Sequence, residues 1–170
     1  MKTYKQIGYN LSTSVENAKQ QANSIFEADS YLPVYTRDLQ EARREIVISS
    51  GALGRAKIYD MIKSLKRQQE KGVKITIVTR QLETCAPNRW ERRAELLNLL
   101  YNSGFHIETT MGSCKQCAVI DNEIVWYGSV NLLSETKPED NIMRAVSKEI
   151  ASELLEIIFS KNNTAEYILP

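Results

Sequence analysis

Cys114-Lys115-Gln116-Cys117-Ala118-Val119-Ile120-Asp121-Asn122-Glu123-Ile124-Val125-Trp126-Tyr127-Gly128-Ser129-Val130-Asn131 is the stretch on which the fold turns. Two apolar runs, Ala118 to Ile120 and Ile124 to Tyr127, flank Asp121-Asn122. That pattern reads as a strand pair closed by a tight turn. Trp126 and Tyr127 alternate along the second strand, so one of them packs in the core.

Upstream the chain alternates between two periods. Ile46 to Ser49, Val73 to Val78 and Phe105 to Thr109 are short apolar runs that read as buried strands. Between them lie helical patterns. Ile58, Met61, Ile62 and Leu65 share one face, with Gly72 as a C-cap; Ala94, Leu96, Leu97, Leu99 and Leu100 precede Gly104. A helix near Ser30 accepts Pro33 in its first turn and carries Tyr31, Val34, Tyr35, Leu39 and Ala42. Before it, the capping-box pattern Thr13-Ser14-Val15-Glu16 opens a run with Val15, Ala18, Ala22, Ile25 and Phe26 at helical spacing. Downstream, Ile142 to Arg144 suggests a short strand. Ile150, Leu154, Leu155, Ile157 and Ile158 mark a last helix, and residues 162–170 read as a tail. Strands alternating with helices predict an α/β layered sheet.

Composition narrows the function classes. The chain has 170 residues and a net charge of +1, enough for one domain with a real core. No global field draws it to a polyanion, so any such binding needs a local patch. No apolar run is long enough to cross a membrane, and the N-terminus lacks the apolar region of a signal peptide. Three cysteines suit a reducing compartment, so the expectation is a cytoplasmic protein. There is no internal repeat.

The opening stretch resembles the signature of the phospholipase D superfamily, which runs H-x-K, four residues, D, six residues, then G-S-x-N. Asp121, Gly128, Ser129 and Asn131 fall in register, while Cys114 stands at the His position and Gln116 at the Lys position. The resemblance covers roughly residues 25 to 160. It is strongest to nuclease-like versions, including domains attached to bacterial helicases. It implies a layered fold with a mixed central sheet flanked by helices. The corresponding division is an N-terminal segment and first helix (1–25), the domain (26–160) and a C-terminal tail (161–170).

In the family the His attacks phosphorus and a second His protonates the leaving oxygen. Lys and Asn hold the phosphate oxygens, Ser shapes the pocket, Asp orients a His, and neither metal nor cofactor is needed. Single-motif members complete the site as homodimers. The resemblance therefore assigns Cys114, Gln116 and Asp121 to the degenerate catalytic positions, and Ser129 and Asn131 to phosphate binding. It implies a homodimer with DNA or RNA as ligand and a helicase or other DNA-processing protein as partner.

Four readings stay open at this stage. With both reacting letters replaced, the domain binds phosphodiesters but has lost the family's hydrolysis, since losing members of a catalytic constellation removes most of its rate enhancement. Alternatively Cys114 serves as nucleophile, which requires a lowered thiol pKa. A third possibility is a structural dimerisation module. Finally, Cys85, His106, Cys114 and Cys117 are the residue types of a zinc set, although spacing three apart along a strand sends Cys114 and Cys117 to opposite faces. The remaining candidates are basic. Arg55, Lys57, Arg80, Arg89, Arg92 and Arg93 follow the first two buried strands, where open α/β sheets collect ligands. They predict a local nucleic-acid patch in which Trp90 stacks on a base. The acidic neighbours Glu83, Glu91 and Glu95 equally suit a plain solvated surface.

Overall fold

The computed structural model of the protein describes residues 23–159 and 164–169. In chain order the elements are β1 (Ser24–Glu27), α1 (Leu32–Glu41), β2 (Glu45–Ser49), α2 (Arg55–Glu70), β3 (Lys74–Arg80), α3 (Trp90–Asn102), β4 (His106–Thr110), β5 (Cys117–Ile120), β6 (Ile124–Gly128), β7 (Asn141–Val146), α4 (Lys148–Phe159) and β8 (Thr164–Glu166). The strands form one sheet in the order β1-β7-β6-β5-β2-β3-β4-β8. β2, β3 and β4 are parallel, joined by α2 and α3 as crossovers. The other pairs are antiparallel, so the sheet is mixed.

Local chemistry sets the element ends. Pro33 sits in the first turn of α1, where its missing N–H has no intrahelical partner to lose. Gly72 and Gly104 end α2 and α3 with φ of +88° and +83°, the left-handed conformation that lets the chain turn back into a strand. The β5–β6 turn is built from Asp121 and Asn122 at φ of 55° and 52°, a region that short polar side chains tolerate.

Alternation along the strands divides the core in two. Ile46, Ile48, Ala118, Ile120 and Trp126 face α1, α2 and α3, and pack with Tyr35, Leu65 and Leu97. Cys117, Val119, Val125 and Ala145 face the other way and are covered by Ala151 and Leu154 of α4. Trp126 is fully buried and Tyr127 is exposed, as the alternation requires.

A buried polar cluster ties α1 to β6 and β7. Asp38 accepts from Arg144 Nε at 2.7 Å and Nη2 at 2.9 Å, and from Trp126 Nε1 at 2.8 Å. All three side chains are buried. A charge taken out of water needs such a partner, because its unpaired burial costs several kcal/mol.

Two elements differ from the sequence expectation. Ile25 and Phe26 belong to β1, not to a helix, because they pair with Met143 and Ile142 of β7. The remainder of that expected helix lies outside the described residues. Thr164–Glu166 forms β8 on the edge of β4 where a tail was expected. Among the described residues no helix is long and apolar enough to cross a membrane.

Candidate functional site

The β5–β6 hairpin carries the motif, and its two ends do different work. Cys114 and Gln116 lead into β5 at one end, and Gly128 leaves β6 beside them: its N–H donates to the Gln116 carbonyl at 3.2 Å. Asp121 lies at the opposite end, with the whole of β5, about 13 Å of strand, in between. There its carboxylate accepts from the backbone N–H groups of Arg43 at 2.9 Å, Arg44 at 2.7 Å and Glu45 at 3.0 Å. The Arg44 guanidinium also binds the Asp121 carbonyl. The expectation that Asp121 orients a group in the site is therefore corrected: it pins the α1–β2 connection to the hairpin turn.

Gly128 and Ser129 hold β6 against β7. A Cβ on Gly128 would stand 2.3 Å from the Asn141 carbonyl oxygen and 2.7 Å from Ile142 Cα, so no side chain fits. Ser129 donates its N–H to the Asn141 carbonyl at 2.9 Å, and its hydroxyl accepts from Asn141 N–H at 3.1 Å. The hydroxyl expected on phosphate is thus already engaged with β7.

Gln116 and Asn131 differ from these. Gln116 Oε1 and Asn131 Oδ1 are buried atoms with no hydrogen-bond partner. By turning about its last side-chain bond, each amide can present either its NH2 or its oxygen. These two side chains hold unfilled hydrogen-bonding capacity that a ligand can use.

Cys114 is half-buried. Burial pushes its thiol up from the ordinary value, and the charges of Arg80 and Arg93 act the other way without cancelling that rise. Burial pushes Cys117, on the α4 face, up to about 12. Neither group is a thiolate at neutral pH, and only the thiolate is a good nucleophile. In a Cys85→Ser background, iodoacetamide labelling of Cys114 is expected to accelerate continuously through the free-thiol range around pH 8.5 and beyond. A plateau reached below pH 7 would reinstate the nucleophile. Cys114 also borders a cavity of about 600 Å³ between the sheet and α4, with Tyr127, Met143, Ile150 and Ile157 on its walls.

The six basic candidates separate into three groups. Arg80, Arg89, Arg92 and Arg93 line a second cavity of about 490 Å³, beside Gly51 and Cys85. Arg55 is instead paired with Glu95 at 2.7 Å. Lys57 lies elsewhere, donating to Tyr31 Oη at 3.1 Å over that ring, so it does not rim the cleft as expected. Within the first group Arg93 is buried, bonded to the Arg80 carbonyl and to Thr79 Oγ1, while Arg80, Arg89 and Arg92 are exposed. Trp90 is partly exposed, its Nε1 donating to the Cys85 carbonyl at 2.9 Å.

The zinc set is not brought together. His106 faces Glu108 at 3.1 Å and Glu166 at 3.6 Å on the β4–β8 edge, and Cys117 is buried under α4. Among the described residues no three His, Cys, Asp or Glu side chains gather as metal ligands.

Comparison with known proteins agrees with this architecture. The profile of a family described as "Cardiolipin synthase, PLD-like domain" matches residues 35–161. Nuc from Salmonella typhimurium, a phospholipase D family member, shares 18% identity at a TM-score of 0.66, covering 86% of this chain and 97% of its own. NucT from Helicobacter pylori shares 13% identity at 0.63, covering 85% of this chain and 98% of its own. TrmBL2, an archaeal chromatin protein whose structure shows a mode of DNA binding, shares 13% at 0.57, covering 92% of this chain and 58% of its own. No curated protein matches significantly. The profile spans most of the chain: this protein belongs to the phospholipase D-like family.

Proposed function

We propose that the protein binds nucleic acid at the Cys114–Asn131 end of the hairpin and does not hydrolyse it by the family mechanism. The observation that carries this reading is the contrast between the two halves of the site. The reacting positions hold a protonated thiol and a neutral amide, Cys114 and Gln116. Three exposed guanidiniums, Arg80, Arg89 and Arg92, line a cavity at the ends of β3 and α3. A phosphodiester gains from those cations and from the free amides of Gln116 and Asn131, but meets no nucleophile. Because the chain carries the motif once, a two-fold pair of chains brings two such sites together. In this reading the protein serves as a dimeric accessory to DNA-processing proteins. DNA binding by the similar fold of TrmBL2 is in keeping with it.

The test is fluorescence anisotropy on labelled single- and double-stranded DNA in chelator, with the same samples run on a denaturing gel. Salt-dependent binding without cleavage is expected. Arg80→Ala should reduce the slope of log K against log salt on a single strand by about 0.7. Gln116→Ala and Asn131→Ala should each weaken binding about 2- to 10-fold. Cleavage that vanishes in Cys114→Ser would overturn the reading in favour of an enzyme.

A further inference from the structure

Among the described residues two arginines are buried, and they are treated differently. Arg144 faces the Asp38 carboxylate with two hydrogen bonds. Arg93, 8% exposed, has only neutral acceptors: the Arg80 carbonyl at 2.7 and 3.2 Å, Thr79 Oγ1 at 2.9 Å and the Gly51 carbonyl at 3.4 Å. Among the described residues no carboxylate lies within ion-pair reach of it. Burial disfavours its cationic form, and the nearby Arg80 charge acts the same way while Cys85 and Cys114 act against it. Burying a cation without a counter-charge is costly, and crowding like charges around it adds to that cost. An anion placed in the cavity removes both penalties.

The shape of the cluster says which anion. Arg80 lies against Gly51, where a Cβ would meet its Nε at 3.0 Å, and both line the cavity. Arg89 and Arg92 come from the start of α3, on the other side. Neither side chain makes a hydrogen bond or ion pair among the described residues. Four arginines thus line one cavity of about 490 Å³ with no carboxylate on its walls. A track for a nucleic-acid backbone spaces its cations along a groove, one for each singly charged phosphodiester. Clustering around one cavity suits a more highly charged group. A phosphomonoester carries about −1.5 to −2 at neutral pH and offers three oxygens to forked donors.

We propose that the Arg80–Arg89–Arg92–Arg93 cavity is a receptor for the terminal phosphate of a nucleic-acid strand. This inference rests on the nucleic-acid reading above. The cavity shares an electrostatic neighbourhood with the start of the hairpin, where the charges of Arg80 and Arg93 are felt at Cys114.

The experiment compares one single-stranded oligonucleotide in three forms, with hydroxyls at both ends, with a 5′ phosphate and with a 3′ phosphate. Each is titrated into the wild type and into Arg89→Ala/Arg92→Ala, a change confined to exposed, unpartnered side chains. One phosphorylated form is expected to bind about tenfold tighter than the hydroxyl form, and the double variant to reduce that preference below about threefold. Equal binding of all three forms would overturn the terminal-phosphate site and leave the phosphodiester reading standing. So would a preference that survives in the double variant. If no oligonucleotide binds, the nucleic-acid reading fails. The cavity is then tested alone with a nucleoside monophosphate by thermal shift. Stabilisation that the double variant abolishes would retain it as a phosphomonoester site, and its absence would end the proposal.

Discussion

Asp38→Ala is expected to destabilise the protein by about 3–5 kcal/mol, because it strands the Arg144 guanidinium in the core. Arg144 is 4% exposed, and Asp38 takes two of its hydrogen bonds while also satisfying the Trp126 N–H. Truncating the acid leaves an unpaired buried cation and an orphaned indole donor together. The loss is a large share of the about 5–15 kcal/mol that holds a typical domain folded. For a chain of this size, each kcal/mol moves Tm by about 2–4 °C, so a fall of roughly 6–20 °C is expected by calorimetry or circular dichroism. Replacing the pair by apolar residues, Asp38→Leu with Arg144→Met, should recover much of it, since no charge is then left buried. A single Asp38→Ala that costs less than about 1 kcal/mol would show that the cluster does not anchor α1.

Gly128→Ala is the second large effect, and it reaches the site directly. The added methyl would sit 2.3 Å from the Asn141 carbonyl oxygen, against backbone that no rotamer change can move. Either β6 and β7 separate or the G-S-x-N turn shifts. Overpacking of this kind costs about 1–3 kcal/mol, and more where backbone must yield. The shift also breaks the Ser129–Asn141 bonds that set the direction of the chain towards Asn131. Oligonucleotide binding and thermal stability should therefore fall together. Unchanged binding in a well-folded Gly128→Ala protein would show that the turn does not position the ligand.

The buried strands and the β5–β6 hairpin were legible because each announces itself locally, by apolar runs and turn residues, whereas the mixed sheet was implied by the family resemblance. β1 and β8 were not. Ile25 and Phe26 continue a helical spacing, and only their pairing with Met143 and Ile142, far along the chain, makes them a strand. Thr164–Glu166 has no apolar pattern and owes its conformation to the edge of β4. The arginines show the same limit within one helix. Arg92 and Arg93 are adjacent and chemically identical, yet one is exposed and the other buried. The signal was present: Arg93 precedes Leu96, Leu97 and Leu100 at spacings of three, four and seven, on the inward stripe of α3. Asp38 likewise follows Tyr35 by three residues, on the inward side of α1. Asp121 was misjudged for another reason. Its partners are backbone groups of residues 43–45, which carry no mark in the sequence.

The division of labour along the hairpin bears on how such a domain ages. Asp121, Gly128 and Ser129 each hold backbone in place, so a change at any of them is purged by misfolding whether or not the protein still reacts with anything. The side chains of Cys114 and Gln116 make no hydrogen bond among the described residues, so selection for a folded chain bears on them less. A lineage released from catalysis would lose its first two letters and keep Asp121, Gly128 and Ser129 for architectural reasons alone. In this fold a surviving D and G-S testify to ancestry and stability, and chemistry has to be inferred from the positions whose side chains folding leaves free.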